Sequence, residues 1–484
     1  DVLEEGEFIY FYLQSSDKIF FDSINSIVSS NKNIYTDSSF YLLSYELGER
    51  KPISNEVNII EYDSSSNYGF NYFHYEKDIY NIIQSGREWY GKIFSSGDLL
   101  SVNLFDIKNE SDIDIEISFI SRSTYNSNFT VSFNDQLLSD IEMDIIKDKL
   151  YGEKSINKKA RINSKVVNKE NNSINVKYQG TGSAISYLDY LKINSIIPLN
   201  YDNQQIIFYS KPQDHNYNVR YNISSNQNIR TWNITNPYKV IPLKIKKEDE
   251  SKYYFISDNT QFRNNIIFDI SKLKSPVYHA SIKNTDILDH NNPELLIITS
   301  DEFLGYANTI KELRENNDYM SVKIVNVSEI FNQFSAGNQD VSSIRNYIKY
   351  IYNTSQNNLK YVLLFGDCSY DYKDRIPNNT NIVPIYQSYN SSNNIYSFSS
   401  DDYFGFLDSD EGSWVESISG DHDLEVSIGR IPAKNTMEAD AYVKKLIRYS
   451  DKKNLLGDWK KNIYLVADDG DGNIHQNDAE NHFD

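Results

Sequence analysis

The stretch Leu359-Lys-Tyr-Val-Leu-Leu-Phe-Gly-Asp-Cys-Ser-Tyr-Asp-Tyr372 decides the fold. Residues 361–365 form a short, nearly unbroken apolar run, which is typical of a strand buried on both faces in the middle of a parallel sheet. Gly366 ends the run, and Asp367 follows at the carboxyl end, where open α/β sheets place their ligand-binding residues. The stretch therefore predicts an α/β sheet built around residues 361–365, with a separate β-rich part before it.

Length and composition indicate a globular chain of two or three domains. The 484 residues are 39% hydrophobic and 24% charged, a balance typical of folded proteins. The net charge of −20 argues against nucleic acid as a partner and favours divalent cations. The single cysteine, Cys368, excludes an intrachain disulfide. Because the sequence begins at Asp1 without an initiator Met and stops inside an apparent helix at 478–484, we expect an internal fragment.

The first half predicts β structure, with a partial β region over residues 1–60 and a β-sandwich-like region over residues 61–285. Strands are expected at 7–13 and 40–48, joined by a polar loop. Further along, short alternating runs separated by Asn, Ser and Asp indicate an antiparallel sandwich. These runs lie at 98–105, 114–120, 128–133, 174–178 and 206–210.

Two other features of the first half carry expectations. The Lys/Asn-rich segment 151–173 is expected to be a loop or a hairpin tip. Trp89 and Trp232 are the aromatic landmarks, and we expect both to pack in the core or against a sheet. Carbohydrate stacking is the functional alternative for these two rings.

After an apparent linker at 286–293, the pattern changes to alternating strands and helices, which implies a mostly parallel sheet. Asp340 and Asn435 are expected to cap helices, because each precedes an apolar stripe at helical spacing. The loop from Gly366 to about His422 is long, and long loops in compact domains are usually functional. The predicted strands are 295–299, 322–327, 361–365, 424–428 and 463–467.

Acidic residues follow three of these strands. Because the carboxyl ends of parallel strands share one edge, we expect these carboxylates to converge in one cleft, with Arg430 as the internal partner. The strand-end acids Asp367, Asp401 and Asp402 are candidate substrate-binding residues, since carboxylates hold cationic groups. The acids that follow the fifth predicted strand are candidate Ca²⁺ ligands, although no cofactor is required: Asp468, Asp469 and Asp471. The alternative is that the acids only cap turns, where Asp is favoured.

Cys368 lies one residue past the predicted central strand, a position that would suit a nucleophile. A catalytic thiolate needs a histidine within hydrogen-bond reach. His422 and His475 follow other predicted strands, so a dyad is compatible with the topology, but no local pattern supports one. We therefore interpret Cys368 as structural, and we assign no catalytic residue within the chain.

The order of motifs in the second half resembles the catalytic domain of the gingipain-type (C25) cysteine peptidases. Three motifs of the first half are similar to the β-rich region that precedes the peptidase domain in that family: Glu7-Phe-Ile-Tyr-Phe-Tyr12, Ser85-Gly-Arg-Glu-Trp-Tyr-Gly91 and Thr231-Trp-Asn-Ile-Thr-Asn-Pro237. The resemblance in the second half rests on Tyr361-Val-Leu-Leu-Phe-Gly-Asp367, Ser400-Asp-Asp-Tyr-Phe-Gly-Phe-Leu407, Ile428-Gly-Arg-Ile-Pro-Ala433 and Val466-Ala-Asp-Asp-Gly-Asp471.

The resemblance implies that residues 286–484 are the N-terminal part of a caspase-like α/β peptidase domain. It further implies a Cys–His dyad, with the catalytic His in a Gly-His-Gly motif and the catalytic Cys on the following strand. Neither motif occurs in this chain, so the resemblance places both residues beyond residue 484 and predicts that the fragment alone is inactive. In arginine-specific relatives an acid selects the substrate side chain. The matching place here is near Asn473, a candidate substrate-binding residue without a negative charge, so strict arginine specificity is not expected.

The branch of the family that the motifs resemble acts as a sortase of the type IX secretion system of Bacteroidota. It implies cleavage of the C-terminal signal domain from secreted cargo proteins and transfer of the new carboxyl end to anionic lipopolysaccharide. The implied location is the extracellular side of the outer membrane, with other secretion components such as PorV as partners. The alternatives are a non-catalytic, partner-binding surface component of the same system and a carbohydrate-binding surface protein.

Overall fold

The fold is described from a computed structural model. The structure describes residues 3–5, 8–43, 57–147, 152–212, 217–282, 285–289, 292–356, 358–412, 422–451, 457, 461–468 and 470–482. Within these ranges no helix is both long and apolar enough to cross a membrane.

The first part of the chain consists of β-strands. In chain order the strands are β1 Leu3–Glu5, β2 Phe8–Tyr10, β3 Lys18–Asp22, β4 Ile27–Asn31, β5 Ser64–Ser66, β6 Tyr68–Glu76, β7 Ile93–Ser95, β8 Leu99–Leu104, β9 Ser111–Ser121, β10 Ser127–Phe133, β11 Gln136–Met143, β12 Ile156–Val166, β13 Asn172–Gly180, β14 Ile185–Pro198, β15 Asn200–Tyr201, β16 Ile206–Ser210, β17 Asn218–Ser225, β18 Arg230–Asn233, β19 Ile241–Leu243, β20 Lys246–Lys247, β21 Lys252–Asp258 and β22 Arg263–Phe268.

Most of these strands form an antiparallel sandwich, as the sequence predicts, with a separate five-stranded sheet beside it, while β1–β2 and β3–β4 form two-stranded sheets. A nine-stranded sheet has the order β12-β9-β14-β6-β16-β22-β18-β19, with β7 also on β14, and a four-stranded sheet has the order β11-β10-β13-β8. Their inward side chains alternate along each strand and meet in one core. The Phe119 and Phe129 rings, one from each sheet, stack with centroids 3.8 Å apart. The smaller, five-stranded sheet has the order β15-β17-β21-β20, with β5 also on β17.

Two predictions for the first part are wrong. Segment 151–173 is not simply a loop, because it contains the eleven-residue strand β12 and the start of β13. Lys158, Lys159 and Arg161 belong to this edge strand of the nine-stranded sheet, and charged side chains are common on edge strands because they block further pairing. The polar loop expected after residue 13 contains the β3–β4 hairpin, and residues 40–43 form no strand. Residues 44–48 of that predicted strand lie outside the described ranges.

The second part is an α/β unit. Its elements are β23 Leu295–Thr299, α1 Leu304–Asp318, β24 Val322–Asn326, α2 Val327–Ser335, α3 Val341–Thr354, β25 Tyr361–Phe365, β26 Tyr386–Gln387, β27 Ser399–Ser400, β28 Ser427–Ile431, α4 Thr436–Ser450 and α5 Gly470–Asn481. The main sheet is parallel, in the order β24-β23-β25-β28. The prediction that residues 361–365 lie inside a parallel sheet is therefore confirmed.

The apolar run of β25 has a simple cause, since helices and loops cover both faces of the sheet. Val362 and Leu364 point into the core with α2, α3 and the long loop. Phe365 points into the opposite core, with α1 and α4. Asp340 and Asn435 cap α3 and α4 as predicted, because their side chains accept hydrogen bonds from Ser342 N and Glu438 N. The predicted domain boundaries at residues 60 and 285 stay predictions.

Two strands of the second part differ from prediction. The fourth strand is Ser427–Ile431 and not 424–428, so Arg430 lies within the strand, opposite Leu364, and not past its end. Residues 463–467 form no strand, and Ile463, Tyr464 and Val466 are 82%, 79% and 95% exposed. An apolar run shows a tendency toward burial, but a strand also needs a neighbouring strand with which to exchange backbone hydrogen bonds.

Candidate active-site edge of the parallel sheet

The carboxyl ends of β23, β25 and β28 meet at one edge, since Thr299, Phe365 and Ile431 are aligned across the sheet. Thr299 Oγ1 donates to Phe365 O at 2.8 Å. Gly366 follows with φ 152°, and an added Cβ would lie 2.7 Å from Ile382 Cγ2. Only glycine allows the chain to leave β25 in this direction. The turn sends the long loop back across the edge of the sheet.

Asp367 is held by contacts within the chain. Its backbone N–H donates to Ala433 O at 2.9 Å, and its carbonyl accepts from Ile382 N at 2.9 Å and Val383 N at 3.1 Å. Its carboxylate accepts a hydrogen bond from Thr380 Oγ1. Asp367 therefore joins β25 to residues 380–383 of the long loop and to the segment after β28.

Arg430 organises this edge. Its guanidinium makes a bidentate ion pair with Asp401, with Nε 2.8 Å from Oδ2 and Nη2 2.7 Å from Oδ1. Its Nη1 donates to the carbonyls of Gly366 at 2.8 Å and Val383 at 2.7 Å. The Arg430 side chain is only 8% exposed. The predicted pairing of strand-end acids with Arg430 is thus confirmed for Asp401. The two opposite charges neutralise each other in this pair.

Cys368 lies beside this ion pair but is not activated by it. Burial raises the pKa of the thiol, Arg430 lowers it, and the negative charges of Asp401 and Asp367 raise it, so that the pKa lies at about 11. The thiol therefore stays protonated at neutral pH. His422 packs its ring against Phe406, with centroids 6.0 Å apart, and His475 Nδ1 lies 3.0 Å from Asp468 Oδ1. The His422 ring thus contacts Phe406, and the His475 ring contacts Asp468.

The remaining predicted site residues lie in different surroundings. Asp402 is exposed at the start of a short 3-10 helix, Asp402–Phe404. Asp468 is exposed and precedes α5, which contains Asn473. Asp469 and the side chain of Asp471 lie outside the described part of the chain. In the part that is described, no group of three or more His, Cys, Asp or Glu residues is placed to hold a metal ion. The substrate-binding and calcium roles stay predictions.

Sequence reasoning missed a buried ionic contact between the two parts of the chain. Asp371 is fully buried and accepts from Ile376 N at 2.8 Å and from Arg375 Nη1 at 3.1 Å. Arg375 Nη2 donates to Asp78 Oδ2 at 2.8 Å. Asp78 in turn pairs with Lys32 at 2.7 Å. We call these four residues the junction cluster. The signal in the sequence was slight, an Asp and an Arg four residues apart.

Aromatic rings extend the same contact. The Arg375 guanidinium lies 4.5 Å from the centroid of Trp89, and Tyr370 stacks on that indole with centroids 5.6 Å apart. Trp89 is 5% exposed, so its expected role in packing is confirmed. Nearby, Gly86 has φ 73°, and its Cα faces Asn390 O so closely that a side chain has no room. The β-rich part therefore holds the first section of the long loop in place.

The fold is thus a parallel α/β unit joined to a β-rich region. Residues 288–484 match the family model described as Peptidase family C25. This part, somewhat less than half of the chain, is thus similar to peptidase family C25, as the motif order predicted. No curated protein matches the chain.

One solved structure shares the fold across nearly the whole chain. The chain is similar to dimeric latent PorU from Porphyromonas gingivalis, with 18% identity and a TM-score of 0.75. The match covers 96% of this chain and 46% of that PorU chain, so the present chain spans less than half of its length. A second match is the complex of Porphyromonas gingivalis RgpB pro- and mature domains, with 19% identity, 32% of this chain, 29% of that chain and a TM-score of 0.21.

Proposed function

We propose that the chain is part of a PorU-like cysteine endopeptidase and sortase. In this proposal the whole protein removes the C-terminal signal domain of secreted cargo proteins and attaches the new carboxyl end to anionic lipopolysaccharide. Its place is the extracellular side of the outer membrane, within the type IX secretion system and next to components such as PorV. The observation that supports the proposal is the similarity to latent PorU across both the β-rich and the α/β parts.

The catalytic residues of this proposal are a Cys and a His that follow residue 484. The arrangement at the sheet edge supports this placement, because Arg430 and Asp401 neutralise one another and Cys368 is a protonated thiol. The role left for the edge is to shape one wall of the substrate cleft. With Asn473 near the position of a specificity-determining acid, the proposal includes no strict preference for arginine.

Cargo processing tests the proposal directly. The longer gene product that contains this chain is incubated with a cargo protein bearing its C-terminal signal domain, with and without lipopolysaccharide, and the products are identified by mass spectrometry. We expect a truncated cargo, and a lipopolysaccharide adduct when the acceptor is present. The 484-residue chain alone serves as the control and should give neither product. Binding of cargo and PorV without cleavage by the longer product would instead favour the non-catalytic, partner-binding alternative.

Replacing Cys368 with alanine should leave cargo processing by the longer protein nearly unchanged. A thiol whose pKa is about 11 supplies very little thiolate at neutral pH. The rate of cargo truncation measures the effect, and Cys368→Ser provides a variant of similar size. A large loss of processing by a Cys368→Ala protein with an unchanged melting temperature would show that Cys368 is the nucleophile.

Calcium is the one cation that the proposal includes, with Asp468, Asp469 and Asp471 as its candidate ligands. Hard oxygen ligands suit Ca²⁺, and a bound ion would offset their mutual repulsion. Calorimetric titration of the chain with CaCl₂ should give heat of binding that disappears in the Asp469→Asn/Asp471→Asn variant. Asp410→Asn, in the long loop, is a matched control. No heat, together with no thermal stabilisation by Ca²⁺, would remove calcium from the proposal.

A further inference from the structure

A groove of about 400 Å³ lies where the small five-stranded sheet meets the nine-stranded sheet. Its walls come from β17, β21, the end of β14 and the turn between β5 and β6. The volume falls in the range of about 300–1,000 Å³ that small-molecule sites occupy. None of the sequence motifs or the strand-end acids belongs to it, so its role is separate from peptidase chemistry.

A chain of hydrogen bonds fixes the polar side of the groove. Arg220 Nε donates to Asn222 Oδ1 at 2.8 Å, and Asn222 Nδ2 donates to Asn67 Oδ1 at 2.9 Å. The Arg220 guanidinium also lies 3.9 Å from the centroid of the Tyr254 ring. These contacts hold the side chains in place before any ligand arrives. Such preorganisation lowers the entropic cost of binding.

The same groups keep unused hydrogen-bonding capacity. An amide side chain offers two N–H donors and an oxygen with two lone pairs. The Asn67 NH₂ group, the second N–H of Asn222 and the side chain of Asn200 make no hydrogen bond within the part of the chain that the structure describes. Donors and acceptors therefore stand side by side in the groove, as the hydroxyl groups of a sugar require.

Charge in the groove is balanced. Arg220 Nη2 lies 2.6 Å from Glu248 Oε1, and Lys252 Nζ lies 3.1 Å from Asp249 Oδ2. A site for an anionic ligand would keep positive charge free for it, and the net charge of −20 further opposes polyanions. The groove therefore favours an uncharged ligand.

Apolar surface completes the groove. Pro198 and Tyr68 line it, together with the small exposed parts of Ile223 and Tyr253, which are 2% and 7% exposed. Tyrosine rings present an apolar face with a polar tip, which suits the C–H faces and hydroxyl rims of a pyranose. A peptide added as an extra strand does not fit here, because β17 pairs with β21 on one side and with β5 and β15 on the other.

We propose that this groove binds a neutral oligosaccharide. Asn67, Asn200 and Asn222 bind sugar hydroxyls, Glu248 accepts from a further hydroxyl, and Tyr68 contacts the ring carbons. The site would let the β-rich part bind glycan independently of the peptidase domain, so its test does not depend on cargo processing.

Glycan binding to the intact chain tests this proposal. A printed array of neutral and anionic oligosaccharides is followed by calorimetry with maltohexaose, xylohexaose and laminarihexaose. We expect binding to at least one neutral oligosaccharide, with an affinity that changes little between 50 mM and 500 mM NaCl. Asn67→Ala and Asn222→Ala should each weaken it by about tenfold, since each removes hydrogen bonds to the ligand.

The controls separate binding from folding. Asn128→Ala changes a half-buried asparagine on β10, in the four-stranded sheet that does not line the groove. This variant should leave binding unchanged. Asn67 is exposed, so Asn67→Ala keeps the fold testable even if Asn222→Ala lowers the melting temperature. Binding of anionic oligosaccharides only, binding that both asparagine variants retain in full, or no binding to any neutral oligosaccharide on the array would each overturn the proposal.

Discussion

An Arg430→Met protein should lose about 3 kcal/mol of the free energy of unfolding of the α/β unit. The substitution keeps most of the aliphatic stem but removes the cation. Asp401, whose side chain is only 20% exposed in the intact protein, then loses its partner. The carbonyls of Gly366 and Val383 lose their donor at the same time. Removing one member of a buried pair is costly because the other charge stays desolvated. Hydrogen–deuterium exchange of the peptides that cover β25 and β28 measures the loss in this unit alone.

A surface pair gives the matched control. Arg314 lies 2.9 Å from Asp318 on α1, and both side chains are at least one third exposed. Arg314→Met should therefore change stability by about 0.5 kcal/mol or less. Restoring neutrality with Arg430→Met/Asp401→Asn should recover part of the loss. If Arg430→Met and Arg314→Met have equal small effects, Arg430 does not organise the sheet edge.

Replacing Arg375 with methionine should release the long loop from the β-rich part. Asp371 is fully buried and Asp78 is 12% exposed, so the variant leaves two desolvated carboxylates, and only Asp78 retains a cation, Lys32. We expect a loss of about 3 kcal/mol, including roughly 1 kcal/mol from the contact with Trp89. Hydrogen exchange should rise both in residues 366–390 and in residues 72–91, because the cluster joins these two segments.

A double-mutant cycle distinguishes an energetic coupling between Arg375 and Asp78 from two independent losses of stability. Arg375→Met and Asp78→Asn should together cost at least about 1 kcal/mol less than the sum of the two single variants. Arg263→Met, which removes a pair with Asp258 inside the β-rich part, should raise exchange there without affecting residues 366–390. Additive effects of Arg375→Met and Asp78→Asn would show that the two side chains do not hold the parts together.

The central strand was predictable because a strand that is buried on both faces needs a continuous run of apolar residues. The same reasoning failed at 463–467, where the run is present but a paired strand is not. β12 was missed for the opposite reason. Its outward residues include Lys159 and Arg161, and such exposed charged residues hid the alternation, since most side chains on its other face are only half-buried.

The site was predictable only in part, because its contacts join distant positions. The sheet-edge rule correctly paired Asp401 with Arg430. It gave no sign that Arg430 would use Gly366 O and Val383 O, 64 and 47 residues away, as further acceptors. The junction cluster depends on a contact between Asp78 and Arg375, which are 297 residues apart. No local pattern reports a contact of that range.

That separation has a consequence for the order in which the protein acquires its shape. Synthesis at about 5–20 residues per second leaves roughly 15 to 60 seconds between the emergence of Asp78 and that of Arg375 from the ribosome. Asp78 and Trp89 are therefore synthesised well before the loop segment that contacts them. The loop can therefore form its contacts on a β-rich part that has already been synthesised. If the order of the two parts in the gene were exchanged, the loop would be synthesised before its contacting residues.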